Sequence, residues 1–246
     1  MHAKFFLFCF NTHMSFEILN RQTVKFYEKQ GVKFFEGFTA VDKAKKPVKV
    51  YFDHSTEPSI LVQNSKNQKS FYTLNFEIPK RQMQGVVMNA EPQKKGIGEI
   101  LNLAALMEFH QNMLNYFKIF SLNESIQFHA RYGFQLINDD VDEIARLLKL
   151  VMKSKQKHPK YDELRYRANF YYQRVTGQIE SDDKYLKPRA CGVPSKYLQE
   201  LSKDKIKIDP YELRHSSHML FNDWQMVVNK DFLNSLLDEH KINYKF

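Results

Sequence analysis

The chain has 246 residues, of which 37 are lysine or arginine and 28 are aspartate or glutamate, so its formal net charge is +9. A content of 43% hydrophobic and 14% aromatic residues excludes a disordered, collagen-like or mucin-like polypeptide and is sufficient for a sizeable core. The two cysteines, Cys9 and Cys191, exclude a disulfide framework and a thiolate zinc cage. This length allows one large domain or two small ones.

Strands and helices alternate in the first half of the chain. Strands are predicted from alternation or from short apolar runs, and helices from apolar residues three or four positions apart. The predicted strands are 4–10, 47–53, 59–63, 70–78, 82–90, 116–122 and 134–137. The predicted helices are 17–27, 99–111 and 125–132, the last of them capped by Gly133. This order predicts an α/β layer architecture, and the unbroken apolar run at Val86, Val87 and Met88 predicts a strand buried on both faces.

Residues 141–246 have a different pattern, and we expect a mainly helical extension to a core of residues 1–140. Helices are predicted at 141–155, 161–174, 194–201 and 231–239. Pro188, Gly192 and Pro194 predict a loop between the second and third of these helices. Trp224–Val228 is predicted as a late strand, which leaves a second arrangement open, in which the helices are inserted before a final strand of the core sheet.

The N-terminal region is relevant to the cellular compartment in which the protein is expected. Its apolar run, Phe5 to Phe10, is six residues long and therefore shorter than the apolar region of a secretory signal peptide. No segment has the roughly 18 apolar residues that a membrane span requires. With the free cysteines, these features predict a cytoplasmic protein without a membrane span, while secretion by a route that needs no such signal stays open.

Residues 93–98, Gln-Lys-Lys-Gly-Ile-Gly, lie between a predicted strand and a predicted helix. The first N–H groups of a helix are unpaired and the helix dipole adds positive charge, so such a loop favours phosphate. Glycine at positions 96 and 98 would let a pyrophosphate approach the backbone, and Lys94 and Lys95 add charge at the rim. The alternative is a tight turn without a ligand. The spacing is neither that of a Walker loop nor that of a dinucleotide fingerprint.

With this loop, and with the strand, helix and Gly133-Phe134 pair that follow it, the sequence resembles the GCN5-related N-acetyltransferase (GNAT) superfamily over about residues 45–138. The family signature Arg/Gln-x-x-Gly-x-Gly/Ala matches Gln93–Gly98. The resemblance implies a GNAT-like mixed central sheet flanked by helices. It also implies an N-acyltransferase that moves the acetyl group of acetyl-CoA directly to an amine, without a metal.

In that family the CoA pyrophosphate lies on the backbone of the glycine loop, and the pantetheine arm pairs with the preceding strand where it splays open. The cofactor-binding residues that the resemblance implies are Val86, Val87, Met88, Gln93, Lys94, Lys95, Gly96, Ile97 and Gly98. The acceptor, which is either a small-molecule amine or a protein lysine or N-terminus, and the oligomeric state are left open.

The acid and base of the reaction are less well defined. The family protonates the leaving thiolate from a tyrosine just before the Gly-Phe pair; His129 occupies that position, and Tyr132 lies nearly one helical turn further on. His129 would be a substitute acid because imidazole titrates closer to neutrality than phenol. The alternatives are that both side chains only pack and that water supplies the proton. The family's glutamate base aligns with Gln82, so Glu77 and Glu57 are the nearest carboxylates, each with a solvated surface role as the alternative.

Two further segments have residue patterns that occur in binding sites. Lys160–Arg174 interleaves basic and aromatic residues, which is typical of a nucleic-acid-binding surface but also of a helix with an aromatic core face. It motivates the rival function, a catalytically inactive GNAT-like or basic nucleic-acid- or protein-binding module. His215 and His218 have a spacing found among metal ligands but lack a third ligand, so we predict no metal site.

Overall fold

The computed structural model describes residues 23–53, 58–213 and 216–246; the predicted strand at 4–10, Glu57 and His215 lie outside these ranges. The strands are β1 (Phe38–Val41), β2 (Pro47–Asp53), β3 (Ser59–Gln63), β4 (Lys69–Glu77), β5 (Gln82–Asn89), β6 (Tyr116–Ser121), β7 (Gln135–Ile137) and β8 (Ser217–Asn222). The helices are α1 (Val24–Lys29), α2 (Ile97–Gln111), α3 (Asn123–Arg131), α4 (Val141–Met152), α5 (Pro159–Val175), α6 (Leu186–Lys203), α7 (Pro210–Leu213) and α8 (Asp223–Glu239). Within the described ranges, no helix combines the length and the hydropathy needed to cross a membrane.

The strands form one mixed sheet flanked by helices, which confirms the predicted α/β class. Their order is β1-β2-β3-β4-β5-β6-β8-β7, and every neighbouring pair is antiparallel except β5 and β6. The parallel pair is possible because α2 carries the chain from the end of β5 back to the start of β6. α2 packs on the sheet and on α8, and its residues are buried on all sides, as expected of a helix that is apolar around its circumference.

β5 separates from β6 halfway along its length. Their pairing ends at Gly85 and Ile119. A β-bulge at Val86 shifts the register of β5 against β4 at the same level. Val86 and Val87 are consequently 49% and 51% exposed. The prediction that this strand is buried on both faces is therefore wrong beyond Gly85, because an apolar run does not reveal where a neighbouring strand leaves the sheet.

The helices after β7 are an insertion in the sheet, the second of the two arrangements considered. β8 lies between β6 and β7 and is antiparallel to both, so α4, α5, α6 and α7 occupy the connection from β7 to β8. They enclose an apolar cluster of their own, which includes Ile144, Leu164 and Tyr197. The last residues of the chain belong to the core instead, as the burial of Leu233 and Leu237 in the main cluster shows.

The prediction of a strand at Trp224–Val228 is wrong, because these residues begin α8. The side chain of Asn222 accepts a hydrogen bond from the backbone N–H of Gln225 and so caps the helix. The strand that completes the sheet comes just before this cap. Its alternation of buried Ser217, Met219 and Phe221 is the signal that identifies it.

α6 runs through the residues predicted to form a loop. Pro188 lies in its first turn, where the N–H that proline lacks would have no partner within the helix. Pro194 lies in the interior of the helix and removes one backbone hydrogen bond. Val193 and Pro194 are buried in the packed face of α6, so tertiary burial outweighs that local loss.

Gly133, at the end of α3, lies against an α8 side chain, Asn229, that is held by two buried hydrogen bonds. Gly133 ends α3 with a φ of +102°, in the left-handed region that glycine adopts without strain. A Cβ at this position would collide with the Asn229 amide. Nδ2 of Asn229 donates to the Gln225 carbonyl over 2.8 Å, and Oδ1 accepts from Nε2 of Gln199 in α6 over 2.7 Å. The amide therefore has little freedom to move away.

Gly133→Ala is expected to lower the free energy of unfolding by about 2–4 kcal/mol, because alanine adds both backbone strain and a collision with Asn229. Gly177→Ala is the matched control: its φ of +72° is also left-handed, but no atom lies within 4 Å of the added carbon. Only the backbone penalty of about 1–2 kcal/mol then remains. Urea unfolding followed by circular dichroism measures both losses, and equal losses would contradict the role of Asn229.

Candidate functional site

A cleft of about 320 Å³ opens at the N-terminus of α2. Of the predicted cofactor-binding loop, Gln93, Lys94, Gly96, Ile97 and Gly98 line the cleft, whereas Lys95 does not. Lys43 from the β1–β2 turn and Phe128 and Arg131 from α3 complete the lining. These three residues were not predicted, because nothing in the local sequence indicates that a turn 50 residues before the loop and a helix 30 residues after it meet there.

The two glycines of the loop have different structural roles. Gly96 has a left-handed φ of +80°, and a Cβ there would lie 2.9 Å from Cγ of Lys43 and 3.1 Å from Cε1 of His240. It therefore permits the loop conformation and the close packing of two side chains. A Cβ on Gly98 would lie near Ala90 and Phe128, both of which line the cleft, at 3.4 and 3.7 Å. Gly98 is thus the position that keeps the cleft open.

A buried carboxylate lies at the base of this cleft. Glu99, in the first turn of α2, is 3% exposed. Its oxygens are 2.6 Å from Nη1 of Arg131, 3.0 Å from the Tyr132 hydroxyl, 2.9 Å from Nε2 of His240 and 3.4 Å from Nζ of Lys43. Burial opposes ionisation, but the hydrogen bond from His240 and the charges of Arg131 and Lys43 lower the pKa of Glu99 to about 2. The carboxylate is therefore charged and holds two cations at the cleft.

The neighbours of His240 favour its charged form for a related reason. Its Nε2 faces Glu99, and its Nδ1 is 2.6 Å from the carbonyl oxygen of Val41, so both ring nitrogens can donate only when the ring is protonated. Burial disfavours the charge, but these two acceptors outweigh it and raise the pKa of His240. Through this contact the C-terminal end of α8 is tied to β1 and α2.

The electrostatic balance of the cleft favours an anionic ligand. Lys43, Lys94 and Arg131 line it against the single carboxylate of Glu99. The N-terminus of α2 adds unpaired N–H groups and the positive end of the helix dipole. Such a constellation suits phosphate groups, for which charge-assisted hydrogen bonds from lysine and arginine are strong.

The open edge of β5 leads directly into the cleft. The edge consists of Val86–Asn89. Val87, Met88 and Asn89 pair with β4 on one side, Val86 is the bulge residue, and none of the four pairs with a described strand on the other side. Ala90, the next residue, lines the cleft, and the sulfur of Met88 lies 3.9 Å from the position of a Cβ on Gly98. An unpaired strand edge offers N–H and C=O groups to an extended ligand. One strand therefore supplies both a hydrogen-bonding edge and the approach to a basic cleft.

His129 and Tyr132, the predicted acid candidates, are both buried. His129 packs against Phe128 and Phe134, and its Nδ1 has no hydrogen-bond partner among the described residues. Burial lowers the pKa of His129 to about 3, so the ring is neutral at neutral pH. The Tyr132 hydroxyl donates to Glu99, and burial together with that carboxylate raises its pKa well above the ordinary value. Both environments therefore favour a packing role.

Glu77, the predicted base, lies at the opposite end of β5 from the cleft. It is paired in register with Gln82, the position where the family has its glutamate. Nε2 of Gln82 is 3.4 Å from a carboxylate oxygen of Glu77, which also forms an ion pair of 2.7 Å with Lys80. Gln82 is three residues, or about 10 Å of strand, from the point at Gly85 where β5 and β6 separate. The carboxylate of Glu77 therefore lies beside the Gln82 side chain, on the neighbouring strand.

Lys160–Arg174, the motif behind the nucleic-acid alternative, lies within α5, and its cations are largely engaged within the protein. Lys160 forms ion pairs with Glu200 and Asp204. Arg165 donates to two backbone carbonyls after α4, and the Arg174 guanidinium lies 4.4 Å from the centre of the Phe170 ring. These contacts indicate a structural helix. His218 lies on β8, and the described part of the chain contains no group of three or more potential metal-ligating side chains.

Glu99→Gln is expected to lower the free energy of unfolding at neutral pH by about 3–5 kcal/mol, because it leaves the buried His240 and the partly buried Arg131 without their counter-ion. In the native chain a lowered carboxyl pKa stabilises the fold above about pH 4.5, and this contribution is lost as the pH falls towards 2. That acid dependence should weaken in the variant, and the NMR-titrated pKa of His240 should fall. Glu124→Gln, at an exposed position of α3, is the control. If Glu99→Gln lost stability at acid pH in the same way as the wild type, the lowered pKa of Glu99 would be contradicted.

Comparisons with known proteins give little independent information. No protein-family model matches the chain, and no curated protein matches it. Among solved structures, the chain is similar to a nourseothricin acetyltransferase, with 13% sequence identity and a TM-score of 0.32 over 46% of this chain and 80% of that one. A likeness at this level carries no functional argument, so function has to be argued from the residues of this chain.

Proposed function

We propose that this chain is an acyl-CoA-dependent N-acyltransferase of the GNAT type, with acetyl-CoA as donor and an amine as acceptor. The observation that carries the proposal is the open edge of β5 that leads into the basic cleft at the N-terminus of α2. CoA has the matching chemistry in the matching order: an amide-containing pantetheine arm that ends in the thiol, attached to a polyanionic nucleotide.

Each part of the donor has a place in this arrangement. The pyrophosphate would lie at the start of α2, near Gly98 and within reach of Lys43, Lys94 and Arg131. The pantetheine amides would pair with the β5 edge at Val86–Met88. The thioester would then lie near the separation of β5 and β6, where the acceptor amine can approach.

The chemistry is a direct transfer. The amine nitrogen attacks the thioester carbonyl, the new C–N bond forms and the C–S bond breaks. The amine loses one proton and the leaving thiolate gains one. Glu77, beside Gln82, is proposed to accept the proton from the amine through water, and solvent is proposed to protonate the thiolate. His129 and Tyr132 are assigned no proton transfer, because the first is buried as a neutral ring and the second donates to Glu99.

Calorimetric titration with CoA tests the donor site. Gly98→Leu is expected to fill the cleft and to weaken CoA binding at least tenfold, or by about 1.4 kcal/mol. Gly192→Leu is the matched control, because Gly192 lies in α6 with open space around it. Pantetheine, which has the arm without the phosphates, should bind much more weakly than CoA. Absence of CoA binding to the wild-type chain, or full affinity in Gly98→Leu, would contradict the site.

Glu77→Gln tests the chemical step. With an amine that a panel shows to be acetylated, release of free thiol from acetyl-CoA should fall about 10²-fold or more, as expected for loss of a general base. The affinity for CoA should not change. Glu28→Gln, at an exposed position of α1, is the control. CoA binding without thiol release on any amine would favour the rival, a GNAT-like binding module.

A further inference from the structure

A second cleft lies within the insertion, away from the site proposed above. It has a volume of about 660 Å³ and is formed by α4 and the residues that follow it, α6, α7 and the loop from α6 to α7. The helices of the insertion pack around their own apolar cluster, and the cleft lies between α4 and α6 on one side of it. The acyl-transfer proposal gives this cleft no role.

The rim of the cleft is strongly basic. Lys153, Lys155 and Lys207 line it, are exposed and form no ion pair with other described residues. Residues 141–213 carry 16 basic and 11 acidic side chains and thus account for +5 of the formal charge of +9. Lysines held near one another without counter-ions raise the local potential and attract anionic partners.

The floor of the cleft is aliphatic. Leu150, Leu201, Ile206 and Ile208 line it. Two tyrosines also line the cleft. Tyr197 is only 5% exposed and its hydroxyl donates to Ser154 over 2.8 Å, whereas Tyr211, in α7, is 84% exposed. Aliphatic pockets accept apolar side chains, whereas single-stranded nucleic acids stack successive bases on a series of aromatic faces, and this cleft offers one exposed ring.

Two carboxylates in the cleft favour a peptide over a nucleic acid as the ligand. Asp209 and Glu212 line the same cleft, and they would repel a closely spaced row of phosphates. A peptide with spaced carboxylates can avoid them while its acidic side chains pair with the lysines. The combination of aliphatic floor and lysine rim is therefore complementary to a peptide in which acidic and apolar residues alternate.

The cleft of the insertion is hydrogen-bonded to α3, the helix that also borders the cleft at the N-terminus of α2. Gln127 of α3 donates to the Ile206 carbonyl over 2.5 Å and accepts from the Ile208 N–H over 3.1 Å, which fixes one wall of the cleft. The next residue, Phe128, lines the cleft at α2. The two clefts thus lie on different sides of one helix, whose diameter is about 10 Å.

We infer that the cleft of the insertion is a binding site for an acidic, apolar-rich peptide segment of a partner protein. The inference rests on the residues of this cleft and does not depend on acyl-CoA binding. A peptide held there would lie one helix away from the cleft at α2, which is close enough for a partner protein to contact both.

Fluorescence anisotropy with the full chain tests the site. The probe is a fluorescein-labelled dodecapeptide of alternating aspartate and leucine, compared with aspartate–serine and serine–leucine peptides of the same length. We expect the first to bind at least tenfold more tightly than either comparison peptide, because charge and apolar contacts are both needed. Equal affinity of the serine–leucine peptide would overturn the inference, as would failure of the first peptide to bind.

Variants locate the binding. Lys153→Glu, Lys155→Glu and Lys207→Glu combined should reduce the affinity at least tenfold, and Leu150→Ser should reduce it without a change in charge. Lys25→Glu, Lys66→Glu and Lys230→Glu combined are the matched control, because they make the same change in charge at exposed positions outside the cleft. Thermal melts confirm that each variant is folded. Unchanged affinity in a folded cleft variant would overturn the site, and so would displacement of the peptide by a single-stranded RNA dodecamer at equal or lower concentration.

Discussion

The contact that orders the rest of this structure is the burial of one carboxylate, Glu99, among groups from three other parts of the chain. A buried charge is tolerated only where opposite charge and hydrogen bonds replace water. Lys43 supplies this from the β1–β2 turn, Arg131 and Tyr132 from α3, and His240 from the end of α8. The same contacts that stabilise Glu99 therefore assemble the cleft at the N-terminus of α2.

A second carboxylate on the same helix shows how much depends on the neighbours. Glu108 is also buried, but it accepts hydrogen bonds only from neutral groups, the Phe35 N–H and the Asn112 amide. Burial then dominates and raises the pKa of Glu108 to about 8, whereas the cations around Glu99 lower its pKa to about 2. Burial is alike in the two cases, and the charge of the neighbours is the main difference; the helix dipole acts in the same sense, because Glu99 lies in the first turn of α2 and Glu108 near its last turn.

The divergence of β5 from β6 and the insertion before β8 create two separate clefts. Where the parallel pair ends at Gly85 and Ile119, β5 has a free edge that continues into the glycine loop. The insertion connects β7 to β8 at the β7 edge of the sheet and packs around its own apolar cluster. α3 lies between the two, with Gln127 bound to the wall of one cleft and Phe128 lining the other.

The elements that local signals define were predictable from the sequence. Alternation identified β2 and the β3–β4 hairpin, the apolar run after the glycine loop identified α2, and Gly133 identified the end of α3. The glycine loop was correctly placed at the N-terminus of a helix for the same reason. Local patterns failed where packing opposes propensity: α6 contains Pro194, and α8 begins in the β-branched, apolar stretch at Trp224–Val228.

By itself, the sequence determined the α/β class, most of the element boundaries and the glycine loop at the N-terminus of α2, because each depends on interactions between residues close along the chain. Only the tertiary structure decided that Lys43, Arg131 and His240 meet at Glu99, that Val86 and Val87 are exposed and that the C-terminal helices divide the sheet. These features depend on contacts between residues far apart in the sequence, whose free energy comes from matching a buried charge and from burying apolar faces. No local sequence pattern indicates which distant residue will pair with a buried charge or cover an apolar face.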